Sequence, residues 1–217
     1  MERDEFLSRV RAARAAALLP RHPADDPGLL VPELEAGDLV DMFTARVHEA
    51  EGIVHRVSDL TEASGQVVDI ARRYESQTFM SWDGFSGVDA ELAAAGLRRV
   101  DGTVPANDRL AHQSAYSELD LGITGAEAGF AESGTIVLRS GPGRPRMASL
   151  IPLVHVALVG VGDLHRSLSH WAEDHAAGIA DAANVVFITG PSKTGDIEQH
   201  INVGVHGPRY VHVLLHD

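Results

Sequence analysis

The chain has 217 residues, 44% of them hydrophobic, with 18 basic against 31 acidic side chains and a formal charge of −13. That balance fits one substantial domain with a core and argues against nucleic acid or an anionic membrane as a general partner, since phosphate binding needs clustered Lys and Arg. There is no cysteine, so disulfides, thiolate nucleophiles, thiolate zinc sites and ordinary iron–sulfur ligation are excluded within this chain. The charged start, Met1 to Phe6, and the absence of any long apolar run place the protein in the cytoplasm as an expectation.

Phe6, Val10, Ala13 and Ala17 recur at helical spacing, which predicts a surface helix over residues 4–19. Pro20, Pro23, Pro27 and Pro32 then break the chain into an extended arm. Residues 1–36 are therefore read as a helix with a Pro-rich arm, and 37–217 as the main domain. Asp38 is the expected N-cap of a helix carrying Leu39, Val40, Phe43 and Val47. Strands are predicted at Ile53–Val57, Thr78–Trp82 and Leu97–Val100, with helices at Leu60–Tyr74 and Val88–Ala95, the latter closing at Gly96.

Further on, the pattern predicts a helix at Asp108–Ser117, a strand at Leu121–Thr124 and a helical turn or two at Glu127–Ala131. A strand at Thr135–Arg139 and a loop at Ser140–Pro145 follow. Val154–Val159 is a near-continuous apolar run, as in a strand covered on both faces. Asp163 is expected to cap a helix with Leu164, Leu168, Trp171 and Ile179 on its buried stripe, and Val185–Thr189 and Tyr210–Leu215 are the last strands. The alternation predicts an α/β fold, three-layer α/β/α, with a mostly parallel sheet.

The densest chemistry lies in Gly190-Pro-Ser-Lys-Thr-Gly-Asp-Ile-Glu198 and Gly204-Val-His-Gly-Pro208. A strand, a turn at Gly190 and a helix starting near Asp196 would aim backbone N–H groups and a helix dipole at an anion, with Lys193 adding charge. The same residues also fit a structural reading in which Asp196 caps the helix and Gln199 completes the pair. Candidate ligand contacts are Gly190, Ser192, Lys193, Thr194, Asp196, His206 and Gly207. A Walker A loop is excluded, because Asp196-Ile197 stands where Lys-Ser/Thr should be.

A second constellation, Ala131-Glu-Ser-Gly-Thr-Ile136, sits at the entrance of a strand. Ser133, Gly134 and Thr135 can face a ligand, and Glu132 could serve as base or nucleophile, or all four could simply form a turn. Glu198 is a second candidate carboxylate. The twelve histidines show no metal spacing: His165, His170 and His175 scatter around a helix, and no metal site is assigned. His155 inside its apolar run is expected to be buried and neutral.

These motifs, together with Leu121-Gly-Ile-Thr124 and Ser149-Leu-Ile-Pro152 with His155, resemble the lactate-utilisation protein C family of the LUD domain group over roughly residues 119–217. The resemblance implies a fold similar to the sugar-phosphate isomerase and CoA transferase-like superfold. It also implies a subunit of an L-lactate-oxidising system, lactate to pyruvate; a crevice lined by Glu132–Thr135, Ser192–Thr194 and His206 would there bind a small anionic or phosphate-bearing ligand. Its partners would be proteins carrying the iron–sulfur clusters, with no cofactor in this chain. The alternative is a free-standing acyl-CoA transferase or sugar-phosphate isomerase-like enzyme using Glu132 or Glu198, with Lys193 stabilising an oxyanion.

Overall fold

The computed structural model describes residues 3–16, 36–100, 116–179, 182–195 and 201–217. The chain divides into two units, Met1–Glu33 and Leu34–Asp217. The first contains helix α1 (Arg3–Ala16), with Asp4 and Glu5 in its first turn, where carboxylates favour the helix dipole. The expected arm and the helix at residues 108–115 lie outside the described residues.

The second unit is built on a six-stranded sheet in the order β1-β12-β7-β4-β2-β3, every neighbouring pair parallel. Its strands are β1 (Ile53–Val57), β2 (Thr78–Ser81), β3 (Arg98–Arg99), β4 (Leu121–Gly125), β7 (Val154–Gly160) and β12 (Tyr210–His216). Parity along β7 separates two cores. Val154, Val156 and Leu158 join Leu121, Ile123 and Leu214 on one face, whereas Ala157 and Val159 join Val213 and Leu215 on the other. A strand buried on both faces must be apolar at every position, which is why Val154–Val159 reads as a continuous run.

Helices α3 (Leu60–Arg73) and α4 (Ser86–Ala94) cover the first face through Val67, Ile70, Val88 and Leu92. α3 starts where it does because Asp59 accepts from the Thr61 and Glu62 N–H groups at 2.8 Å, and Glu62 reaches back to the Ser58 N–H at 2.7 Å. This reciprocal cap satisfies donors that the first turn otherwise leaves open and contributes about 1 kcal/mol.

Phe43 and Val47 of α2 (Ala36–Glu49) and Ala148 of the short α5 (Met147–Leu150) cover the second face. They share it with a four-stranded sheet in the order β8-β5-β6-β9. That sheet comprises β5 (Ala128–Phe130), β6 (Thr135–Ser140), β8 (Leu164–His165) and β9 (Asn184–Ile188). α6 (Leu168–Ile179) buries Trp171 beside Phe130 and Phe187. The architecture is α/β with a mostly parallel central sheet, as the sequence implies.

Four local expectations are corrected. Asp38 lies within the first turn of α2 instead of capping it, because the helix starts at Ala36. The helical turn expected at Glu127–Ala131 is strand β5, paired with β6 and β8, because a bare α-carbon at Gly129 lets Phe43 and Leu164 close on it. Asp163 sits in a 3-10 turn before β8, and the helix begins only at Leu168. Finally, the strand before Gly190 is present as β9, but Lys193–Gly195 forms β10, antiparallel to β11 (Ile201–Val203), pairings the sequence did not suggest; the helix start expected near Asp196 lies outside the described residues.

Candidate functional site

The two motif regions meet through the β6–β9 ladder. Ile136 pairs with Ile188, which brings the next residues, Thr135 and Thr189, side by side. Thr135 Oγ1 lies 2.7 Å from Thr189 Oγ1 and 2.7 Å from Ser133 Oγ, a hydroxyl chain that joins the first motif to the strand leading into the second. Thr135 is buried, and the chain supplies the hydrogen bonds its hydroxyl needs there.

The carboxyl end of α2 explains two of the glycines. Gly134 has φ +66°, and a Cβ there would stand 2.5 Å from the Val47 nitrogen and 2.6 Å from the Arg46 carbonyl carbon. Gly190 has φ +74°, and a Cβ there would come within 2.3 Å of the Ala50 oxygen. Both turns therefore press against the same backbone, which requires a left-handed conformation and no side chain. Lys193 serves that contact too: its Nζ lies 3.0 Å from Glu51 Oε1 and donates to the Ala50 carbonyl at 3.4 Å. A cation at a helix carboxyl end is favourable, and here it is already paired.

Ser192 is clasped to the second half of the motif. Its N–H donates to the Pro208 carbonyl at 2.9 Å, and its carbonyl accepts from the Gly204 N–H at 2.8 Å. Gly207 packs against its Cβ. Between these segments opens a cleft of about 240 Å³, which Ser192, His206, Gly190, Gly207, Thr189 and Ser149 line together with apolar neighbours such as Leu150 and Phe187. It lies at the amino ends of β7 and β12, next to Leu153 and Pro208.

Of the sequence candidates, Gly190, Ser192, His206 and Gly207 share this cleft, and Ser133–Thr135 adjoin it through Thr189. Thr194 lies in β10 opposite Asn202. Glu132 is exposed, is not among the cleft walls, and accepts from Arg166 Nε at 2.8 Å. Asp196 and Glu198 lie outside the described residues. Sequence reasoning missed the partners Thr189, Glu51 and Arg166, which pairing and packing bring in from distant positions.

It also missed a chain of titratable groups on the α3 face of the sheet. His55 Nε2 lies 2.9 Å from His212 Nδ1, and His212 Nε2 lies 3.1 Å from the Tyr74 hydroxyl. Burial holds His212 down to about 4, helped by His55 and Arg73 nearby. Burial, with Arg73 second, also lowers His55, and desolvation raises Tyr74. His155 is fully buried, lies 2.9 Å from Thr124 Oγ1, and is lowered to about 3 by burial and then by His212. These imidazoles are neutral near pH 7, as expected for His155. Among the described residues no cluster of His, Asp and Glu has the arrangement of a metal site, and no helix is long and apolar enough to cross a membrane.

Comparison with known proteins places this geometry in a family. The family model for the LUD domain matches residues 40–216. Lactate utilization protein C from an Exiguobacterium species is 30% identical over a 238-residue alignment covering 99% of this chain and 96% of that protein. Lactate utilization protein C from Halalkalibacterium halodurans is 38% identical over 105 residues, 46% of each chain. The crystal structure of a DUF162 family protein from Deinococcus radiodurans superposes with a TM-score of 0.64 at 18% identity, covering 85% of this chain and 100% of that one, and so shares the fold. With a family match across nearly the whole of its second unit, the chain belongs to the LUD domain family.

Proposed function

We propose that this protein is a component of a lactate-utilisation system, one that binds a small ligand and leaves electron transfer to partners. The observation that carries the reading is the likeness, over 99% of the chain, to a protein named Lactate utilization protein C. The absence of cysteine supports the division of labour, because thiolate-held iron–sulfur clusters must then reside in other chains.

In this reading the cleft beside Ser192 and His206 is the ligand-facing part of the second motif. With Lys193 committed to Glu51, the cleft offers hydroxyl and imidazole hydrogen bonds among apolar walls. Such a surface suits a small carboxylate held by hydroxyl and imidazole hydrogen bonds, with its carbon chain against Leu150 and Phe187.

The system role is tested by deleting the coding sequence, together with any paralogue, in the native host and comparing growth on L-lactate and on glucose as sole carbon source. Growth lost on lactate alone, and restored by the intact gene, is the expected result; unchanged growth on lactate refutes the reading. Co-purification of the tagged protein with cluster-bearing proteins, identified by mass spectrometry and by their visible absorbance, tests the partner assignment.

A further inference from the structure

The parallel sheet has a second, unclaimed crevice at the opposite edge. After β2 the chain leaves through α4 on one face and steps outward to β3. After β4 it leaves through β5, β6 and α5 on the other face and steps the opposite way to β7. β2 and β4 are neighbours, so their connections part and open a gap at their carboxyl ends. Such a switch point is where open parallel sheets hold ligands.

A pocket of about 350 Å³ occupies that gap, within the range of small-molecule sites. Trp82 and Asp83 come from the end of β2, Glu127 from the end of β4, Arg139 from β6, Arg144 from the loop after it and Asp163 from the turn after β7. The loop is fixed in place: the Asp83 N–H donates to the Gly143 carbonyl at 2.8 Å, and Trp82 Nε1 donates to the Pro145 carbonyl at 3.1 Å. The Arg144 guanidinium stands 5.8 Å from the Trp82 ring centroid, so the indole positions the cation.

The charges are the informative part. Arg139 is paired with Glu127, Nε to Oε2 2.5 Å. Among the described residues, Arg144 has no carboxylate partner, and neither Asp83 nor Asp163 receives a side-chain donor. The unpaired Arg144 guanidinium offers donors to a carboxylate, whereas the unpaired Asp83 and Asp163 in the same lining accept from hydroxyl groups and repel a bare dianion. This combination fits a monoanion that also carries hydroxyl donors.

We propose that this switch-point pocket binds a hydroxylated monocarboxylate, its carboxylate on Arg144 and its hydroxyls on Asp83 and Asp163. The site is distinct from the amino-edge cleft, and its ligand class includes lactate, so it extends the lactate reading to a second place in the fold; the growth experiment reads the system and titration of the Arg144 variants reads the pocket, so each can fail alone.

The test is calorimetric titration of the whole protein with D-gluconate, L-lactate, propionate, L-alanine and inorganic phosphate. At least one of the two hydroxy acids is expected to bind, and which one separates a six-carbon sugar acid from a three-carbon hydroxy acid. Arg144→Gln should weaken that binding about tenfold or more, as loss of a charge-assisted hydrogen bond does. Arg144→Lys should retain part of it, and Asp83→Asn should also weaken it. Arg144 and Asp83 are exposed, so the variants should keep the wild-type melting temperature, which serves as the folding control. Absence of heat with both hydroxy acids, equal binding of phosphate or propionate, tighter binding of L-alanine than of L-lactate, or affinity unchanged in Arg144→Gln would each overturn the assignment.

Discussion

Gly134 lies inside a motif that, read as sequence, looks built to approach a ligand, and Gly134→Ala separates that reading from a structural one. The new methyl would meet three backbone atoms of α2, at 2.5, 2.6 and 2.9 Å, none of which can rotate away. Overpacking against rigid atoms costs about 1–3 kcal/mol, and holding a residue with a Cβ at φ +66° adds about 1–2 kcal/mol. A loss of about 3 kcal/mol follows, which for a protein of this size lowers the melting temperature by roughly 6–12 °C. Gly65→Ala is the control with opposite sign: it lies exposed within α3 with nothing within 4 Å of the added methyl, so the variant should gain about 0.5–1 kcal/mol. Urea denaturation followed by circular dichroism measures both. A Gly134→Ala protein as stable as the wild type would refute the argument that α2 is seated on this turn, and would return Gly134 to the list of ligand contacts.

Other consequences follow from particular partners. His212 and His155 are held near 4 and 3, whereas an unfolded chain titrates them near 6.5. Between those values the unfolded state binds more protons, so stability is complete above about pH 6.5 and falls as the pH drops; each imidazole should cost about 2 kcal/mol by pH 5. Urea midpoints across that range, compared with those of His212→Asn, check this, and an equally steep pH dependence in the variant would refute it. Thr135→Val removes the middle of the Ser133–Thr135–Thr189 hydroxyl chain at a buried position and should lose about 1–2 kcal/mol by the same assay. Glu132→Gln breaks only an exposed contact to Arg166 and should change stability by less than about 1 kcal/mol.

The sequence made the central sheet legible because burial on both faces forces nearly every position of a strand to be apolar. Val154–Val159 shows this most clearly, and Leu121–Thr124 and Tyr210–Leu215 follow the same logic. Short elements were not legible for the complementary reason. Ala128–Phe130 and Leu164–His165 are too brief to display a period; the first is a strand because β6 and β8 pair with it, the second because β5 does. The residues after Gly190 misled differently: Asp196 and Gln199 have the spacing of a helix cap, yet the segments on either side, Lys193–Gly195 and Ile201–Val203, pair with one another. Local propensity carries no sign of that ladder between the flanking segments.

The same distinction governs the sites. Polar residues dense in sequence had to find partners nearby, and several did: Lys193 with Glu51, Glu132 with Arg166, Thr135 with Thr189. Those side chains are largely used up in holding α2 and the second sheet to the core, which leaves Ser192 and His206 as the motif residues facing open space. At the switch point the balance is reversed. Asp83, Arg144 and Asp163 are unremarkable where they stand in the chain, separated by 61 and 19 positions. Only the parting of the β2 and β4 connections brings them to one pocket, where they remain without partners among the described residues. These charges are exposed, so leaving them unpaired costs the fold little, and a ligand that reaches them gains charge-assisted hydrogen bonds. Among the described residues, the sparse constellation at the carboxyl edge, more than the dense motif at the amino edge, gathers unpaired charge around one pocket.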